Sequence, residues 1–115
     1  MIQYNVWFSF KPEADIPAEL VNVRQCLDQY AATGLIFSYR LLRNRGDLTN
    51  GRLLPYQVAI EFVDGEQFAK PFDDVRRIGV HAGLHGLMIE CVDEMIVETF
   101  EDLPPPLSND QENPR

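Results

Sequence analysis

Apolar residues stand at every second position from Ile2 to Phe10, in the run I-Q-Y-N-V-W-F-S-F-K that ends at Lys11. A period of two is typical of a β-strand whose two faces meet different surroundings. One face is uniformly apolar and predicts contact with a core. The other face carries Asn5, Trp7 and Ser9, which combine a large aromatic ring with polar groups. This second face is therefore the first candidate for a functional surface.

The next segment has the three- and four-residue spacing of a helix, with one apolar stripe between Pro17 and Thr33. Pro17 is placed where the first turn of a helix tolerates a missing N–H, and Gly34 is placed to end the helix. A period of two then returns in residues 35–43 and 53–63, which predict the second and third strands. The polar, glycine-containing segment between them predicts a long hairpin loop.

A second helix is predicted after the third strand, because Asp64 and Gln67 have the spacing of a capping box and helical spacing continues to Ala82. Pro71 falls inside this segment and removes a hydrogen bond, so we expect a kink there or a fresh helix start. Residues 93–102 predict the last strand.

The end of the chain differs in composition from everything before it. Residues 104–115 are rich in proline and polar residues, which predicts a disordered tail. Residues 1–103 are then expected to form a single domain.

The order strand, helix, strand, strand, helix, strand predicts an α+β, ferredoxin-like βαββαβ fold. Four antiparallel strands would have the first and third at the centre and both helices on one face. The other face would carry a mixed set of side chains: Asn5, Trp7, Ile36, Ser38, Arg40, Leu42, Gln57, Ala59, Glu61 and Val63. Such a semi-apolar patch predicts a covering partner, and a second copy of the chain is the simplest one.

Composition narrows the classes of partner. The 115 residues carry a formal net charge of −8, with an isoelectric point near 4.6, so nucleic acid and anionic membrane surfaces are not expected partners. No apolar run reaches the roughly 20 residues of a membrane span. Cys26 and Cys91 are interpreted as reduced thiols of a cytoplasmic protein rather than as a disulfide or redox pair.

Two histidines, His81 and His85, stand four residues apart, a spacing that helical metal sites use. No third ligand lies at a diagnostic offset, so no metal is predicted. His85 is the better candidate for an acid or base, because histidine titrates near neutrality. The alternative is a structural or solvent-facing pair.

Arg40 and Glu61 are predicted to be neighbours on the partner-covered face. They could form a structural ion pair, or Arg40 could receive a carboxylate or an enolate of a ligand through its guanidinium. Trp7 and Asn5 add an aromatic wall with a polar group, which is a common lining for a small-molecule site. A stacked aromatic at a dimer interface is the alternative. Ser38, Gln57 and Glu61 complete the predicted ligand-binding set.

Four segments resemble the dimeric α/β-barrel superfamily: Y-N-V-W-F at Tyr4–Phe8, S-Y-R-L-L-R at Ser38–Arg43, A-I-E-F-V-D at Ala59–Asp64 and G-L-H at Gly83–His85. Within it, the chain is most similar to a family of small, uncharacterised bacterial proteins. The superfamily includes cofactor-independent monooxygenases of the antibiotic-biosynthesis type, muconolactone isomerase-like proteins and chlorite dismutase-like proteins. The resemblance implies a homodimer with a pocket between sheet and helices. It implies no particular reaction, and no haem-ligand pattern or other cofactor motif can be matched.

The function predicted on these grounds is the binding of a small, partly apolar molecule in that pocket. Any catalysis would be cofactor-free chemistry of the monooxygenase or isomerase kind, with Arg40 holding an oxyanion and His85 moving a proton. The alternative is a non-catalytic binding or assembly module.

Overall fold

The structure, a computed structural model, describes residues 1–48, 53–78 and 83–104. Its elements are β1 (Ile2–Phe10), α1 (Ile16–Ala32), β2 (Ser38–Arg43), β3 (Tyr56–Phe62), α2 (Gly65–Ile78), α3 (Gly83–Cys91) and β4 (Val92–Glu101). The strands form one antiparallel sheet in the order β2-β3-β1-β4. The two strands with the strongest alternation, β1 and β3, are therefore central, and the predicted ferredoxin-like α+β fold is confirmed.

The core lies on one face of this sheet. Val6 and Phe8 of β1 pack in one cluster with Val58 and Ile60 of β3, and the helices close the cluster through Val23, Leu27, Met88 and Cys91. Phe8 and Leu27 are completely buried. Burial of a large apolar side chain contributes about 1.5–3 kcal/mol, so this cluster holds the helices on one side of the sheet.

Both ends of α1 are capped, the C-terminal end by the predicted Gly34 and the N-terminal end by Asp15, which the sequence analysis did not select. Asp15 is the N-cap, and its Oδ1 accepts a hydrogen bond from the Ala18 N–H at 3.2 Å. Pro17 lies in the first turn, one residue later than predicted, because the helix begins at Ile16. Gly34 has a φ of +79°, the left-handed conformation that ends helices and that glycine adopts without strain.

Gln67 joins the start of α2 to the loop after α1. Its N–H donates to Asp64 Oδ1 at 2.9 Å, which confirms the Asp64 half of the predicted capping box, while its Oε1 accepts from the Val63 N–H at 2.6 Å rather than from the Asp64 N–H. Its Nε2 donates to the Gly34 carbonyl at 2.9 Å. Gln67 therefore caps the start of α2 and also links it by a hydrogen bond to the residue that ends α1.

The second helical segment is described in two parts, α2 and α3. Residues 79–82 between them, which include His81, lie outside the described residues. Pro71 lies within α2, which continues through it and is not interrupted. The predicted tail is described only as far as Pro104, so its predicted disorder stays a prediction.

Ile36 corrects the predicted face assignment of the second strand. Ile36 is 2% exposed and belongs to the core, whereas its neighbour Phe37 is 53% exposed. The N–H groups of Leu35 and Ile36 both point back to the Tyr30 carbonyl, at 2.9 and 3.4 Å. Because the chain wraps around the end of α1 here, regular alternation begins only where β2 begins, at Ser38.

Candidate ligand-binding face

The face of the sheet opposite the helices, called here the open face, carries three rows of side chains. Each row has one residue from every strand, in the order β2, β3, β1, β4. The upper row is Ser38–Glu61–Gln3–Phe100, the middle row is Arg40–Ala59–Asn5–Glu98, and the lower row is Leu42–Gln57–Trp7–Ile96. The register shift between β1 and β4 lies beyond the rows, between Phe8 and Phe10, so the rows are regular.

All five predicted ligand-binding residues lie in these rows, and so does Arg40. The rows also contain four residues that the sequence reasoning did not select: Gln3, Ile96, Glu98 and Phe100. The last three are on β4, whose alternating pattern could have placed them on this face once the strand order was known.

Asn5 is the centre of the polar chemistry on the open face. It is 2% exposed, and its Oδ1 accepts hydrogen bonds from Gln57 Nε2 at 2.9 Å and from Gln3 Nε2 at 3.1 Å. Within the described residues, no acceptor lies within hydrogen-bond distance of Asn5 Nδ2. Buried amide groups are usually paired, so this donor is available to a further acceptor at the centre of the face.

Glu61 is held by Ser38 rather than by Arg40. The Ser38 hydroxyl donates to Glu61 Oε1 at 2.8 Å across β2 and β3. Arg40 lies one row away, directly across from Ala59, and the ion pairs among the described residues do not include it. The two charged residues thus share a face, as predicted, without forming a pair.

The apolar part of the open face lies at its edges. Phe100 is 54% exposed and Ile96 is 36% exposed, both on the edge strand β4. Trp7 and Leu42 are half-buried in the same row as Ile96. An apolar border around a buried amide gives a surface that can bind a molecule with both apolar and polar groups.

Arg40 and the helix that carries His85 are on opposite sides of the sheet. Arg40 lies on the open face, whereas α3, which has His85 in its first turn, packs on the other face through Met88 and Cys91. The sheet therefore separates Arg40 from α3 within one protomer. The ligand-binding residues likewise face away from the space between sheet and helices.

The two cysteines are free thiols, as interpreted from the sequence. Burial raises the pKa of Cys91, and the nearby Glu19 carboxylate raises it further. Burial also raises the pKa of Cys26, against the opposing effect of a hydrogen bond with Tyr30. Both thiols are thus weak candidates for a nucleophile, because the thiolate is the reactive form.

Two other kinds of site were searched for among the described residues. No group of three or more His, Cys, Asp or Glu side chains there could hold a metal ion. None of the helices, within the same residues, is long and apolar enough to cross a membrane.

A family model matches the chain over residues 1–113. The chain belongs to DUF6614, a family of unknown function. No curated protein matches the sequence. The membership agrees with the predicted likeness to an uncharacterised family.

Solved structures share the fold at low sequence identity. A dimeric ferredoxin-like protein of unknown function from Jannaschia sp. CCS1 is 15% identical, with a TM-score of 0.65, over 88% of this chain and 98% of that one. A protein from Arabidopsis thaliana is 11% identical, with a TM-score of 0.68, over 93% and 100% of the two chains. An antibiotic biosynthesis monooxygenase is 18% identical, with a TM-score of 0.60, over 90% and 100%. At these identities the likeness establishes the fold alone.

Proposed function

We propose that this protein is a homodimer joined through the open face, and that the two facing sheets enclose a site for a small, partly apolar molecule. The observation that carries the proposal is that Phe100 and Ile96 are exposed on the same face of the sheet that holds the buried Asn5. Water is a poor solvent for such a surface, and a second copy of the chain can cover it with the same residues. The ferredoxin-like protein from Jannaschia sp. CCS1, which is dimeric, supports self-association.

The middle row supplies the room for a ligand. Facing sheets pack about 10 Å apart, and their side chains normally fill that space. Ala59 and Asn5, the two central residues of the row, are short and already buried within their own protomer. Two copies of this short pair leave an unfilled region at the centre of the proposed interface.

The residues around that region determine what could bind there. Trp7 offers an aromatic surface for stacking, and Gln57 and Asn5 offer amide groups. Glu61 uses one carboxylate oxygen to accept from Ser38, which leaves the other oxygen for a ligand donor. The matching ligand is a small molecule with an aromatic or aliphatic body, a hydroxyl or amine, and an acceptor such as a carbonyl.

The proposed site therefore lies between the two sheets of the dimer, whereas the sequence analysis predicted a pocket between sheet and helices. It favours binding over catalysis, since Arg40 and the helix that carries His85 are separated by the sheet. Cofactor-free chemistry at Arg40 or at His85 stays a prediction, which can be tested once a ligand is identified.

Native mass spectrometry tests the proposal directly. We expect a dimer that carries extra mass, which is lost under denaturing conditions. Trp7→Arg should give a monomer or a dimer without the extra mass, because it places a charge at the centre of the lower row. Phe37→Arg is the matched control, since Phe37 is an exposed aromatic outside the rows. A monomeric wild type, or a Trp7→Arg dimer that retains the ligand, would overturn the proposal.

A non-catalytic assembly module is the second candidate function. The observation in its favour is β4, an edge strand whose Met95 and Val97 are 51% and 44% exposed on the helix side of the sheet. A bare dimer that binds no small molecule, but captures another protein through β4, is the result that this alternative predicts.

A further inference from the structure

We propose that the two-fold axis of the dimer runs parallel to the strands, so that Arg40 of each protomer pairs with Glu98 of the partner subunit. The inference rests on the proposed homodimer and adds its orientation and its specificity contacts. Arg40 is on the edge strand β2, and Glu98 is on the opposite edge strand, β4. Both residues are exposed in the single chain.

The register of the sheet places the two charges at the ends of the same row. Arg40 lies across from Ala59, Ala59 lies across from Asn5, and Asn5 lies across from Glu98. A two-fold rotation about an axis parallel to the strands reverses the order of the strands and keeps each position along them. The middle row then faces a reversed copy of itself, and each Arg40 faces a Glu98.

The other two rows are complementary in part under this rotation. In the lower row, Leu42 faces Ile96 of the partner subunit, which joins two apolar side chains, while Gln57 faces Trp7 of the partner subunit. In the upper row, Glu61 faces Gln3 of the partner subunit, which brings an amide donor to a carboxylate, while Ser38 faces Phe100 of the partner subunit. The arrangement therefore combines the charged pair with one apolar and one hydrogen-bonding pair in each half of the interface.

The other face-to-face arrangement has its two-fold axis across the strands, and it brings like charges together. Each edge strand then lies over its own copy. Arg40 would face Arg40 of the partner subunit, and Glu98 would face Glu98 of the partner subunit. Like charges placed against each other at an interface are unfavourable, so the charge pattern selects the first arrangement.

The proposed pair is within reach at the edge of the interface. Facing sheets are about 10 Å apart, which an extended arginine and a glutamate span together. The edges of the sheet form the rim of the interface, where charges set register and exclude wrong partners more than they add affinity. Arg40 is thus assigned to assembly, in place of the oxyanion-holding role predicted for it.

Charge reversal tests the orientation. Arg40→Glu should raise the dimer dissociation constant by about tenfold or more, since both symmetry-related contacts become Glu against Glu. Glu98→Arg should do the same through two Arg against Arg contacts. The double variant, with both substitutions in one chain, should return the constant to within about threefold of wild type, because opposite charges face each other again.

Matched controls are available on the same strands. Arg43→Glu and Glu101→Arg make the same charge changes, but both residues lie on the helix side of the sheet. Sedimentation equilibrium at two salt concentrations should show little change for either control. The losses in the Arg40 and Glu98 variants should shrink at high salt.

The outcomes separate this inference from the proposed function. A wild-type dimer whose affinity is insensitive to both single reversals would overturn the orientation and leave the homodimer standing. Two weakened single variants with no recovery in the double variant would also overturn it. A monomeric wild type would overturn the homodimer itself, and this inference with it.

Discussion

Asn5 Oδ1 accepts a hydrogen bond from Gln57 Nε2 at 2.9 Å, across the two central strands, on the face of the sheet that no helix covers. A buried polar residue at the centre of a sheet face needs such partners, because an unpaired buried amide costs free energy. The same oxygen also accepts from Gln3, so three amide side chains form one connected group.

Asn5→Ala should lower the free energy of unfolding by about 1–2 kcal/mol, because two hydrogen bonds are lost beside a small new cavity. Urea unfolding at one fixed protein concentration measures this, since the proposed dimer would make apparent stability depend on concentration. Asn22→Ala, at an exposed position of α1, should cause no loss. Equal stabilities of the two variants would contradict the structural role of Asn5.

Ile36 and Phe37 allow a direct test of the shifted alternation before β2. Ile36→Ala should lower the free energy of unfolding by about 2–4 kcal/mol, because it opens a cavity in the core. Phe37→Ala should cost less than about 1 kcal/mol, since that ring is largely exposed. A larger loss for Phe37→Ala than for Ile36→Ala would show that the two residues are assigned to the wrong faces.

Gln67→Ala should lower the free energy of unfolding by about 1–2 kcal/mol, because the side chain loses its bonds to Val63 and Gly34 together. Gln67→Glu keeps an acceptor for the Val63 N–H and loses the donor to the Gly34 carbonyl, so it should give an intermediate or similar loss. Gln25→Ala, at an exposed position of α1, is the control in the same urea titration. A Gln67→Ala variant as stable as Gln25→Ala would rule out the proposed tie between the helical segments.

Tyr39 should make stability fall at alkaline pH. Burial raises the pKa of Tyr39 above its ordinary 10.0, and its hydrogen bond to Asp28, at 2.6 Å, raises it further, while Arg24 acts in the opposite direction. The folded state therefore holds the proton more tightly than the unfolded state. The contribution of Tyr39 to the free energy of unfolding is complete below pH 10 and is lost as pH rises through the pKa of Tyr39 in the folded state.

The measurement for Tyr39 is the difference in unfolding free energy between wild type and Tyr39→Phe from pH 8 to pH 11. The difference should shrink as the pH rises through the upper part of this range. Asp28→Asn is the companion variant, and it should lower the pKa of Tyr39 seen in an absorbance titration, because it removes the carboxylate charge. A Tyr39 that ionises at or below the ordinary pKa would contradict this account.

Strand positions were predictable wherever burial on one side forced a two-residue period. β1 shows this best, since Ile2, Tyr4, Val6, Phe8 and Phe10 all contact the core, while the residues between them, Trp7 included, lie on the open face. The prediction failed at Ile36, where a local hydrogen-bond pattern at the end of α1 displaced the alternation by one residue.

The residues that share the open face were predictable from the sequence, but the hydrogen-bond partners among them were not. Asn5, Trp7, Gln57 and Glu61 were selected because their strands alternate, and that property belongs to the strands themselves. The partner of Glu61 was predicted to be Arg40 and is Ser38, because register decides which residues lie opposite each other. Register is set by loop geometry and by packing against the helices, and neither can be read from one strand.

The sequence by itself determined the elements, their order, the fold class and the acidic character of the surface, because these follow from local periodicity, capping residues and charge. Only the tertiary structure decided that Arg40 and Glu98, 58 positions apart in the chain, end one row with Ala59 and Asn5 between them. It also decided that the helix carrying His85 and the side chain of Arg40 lie on opposite sides of the sheet. Strand order and register determine both relationships, since they bring together residues between which the sequence contains no local signal.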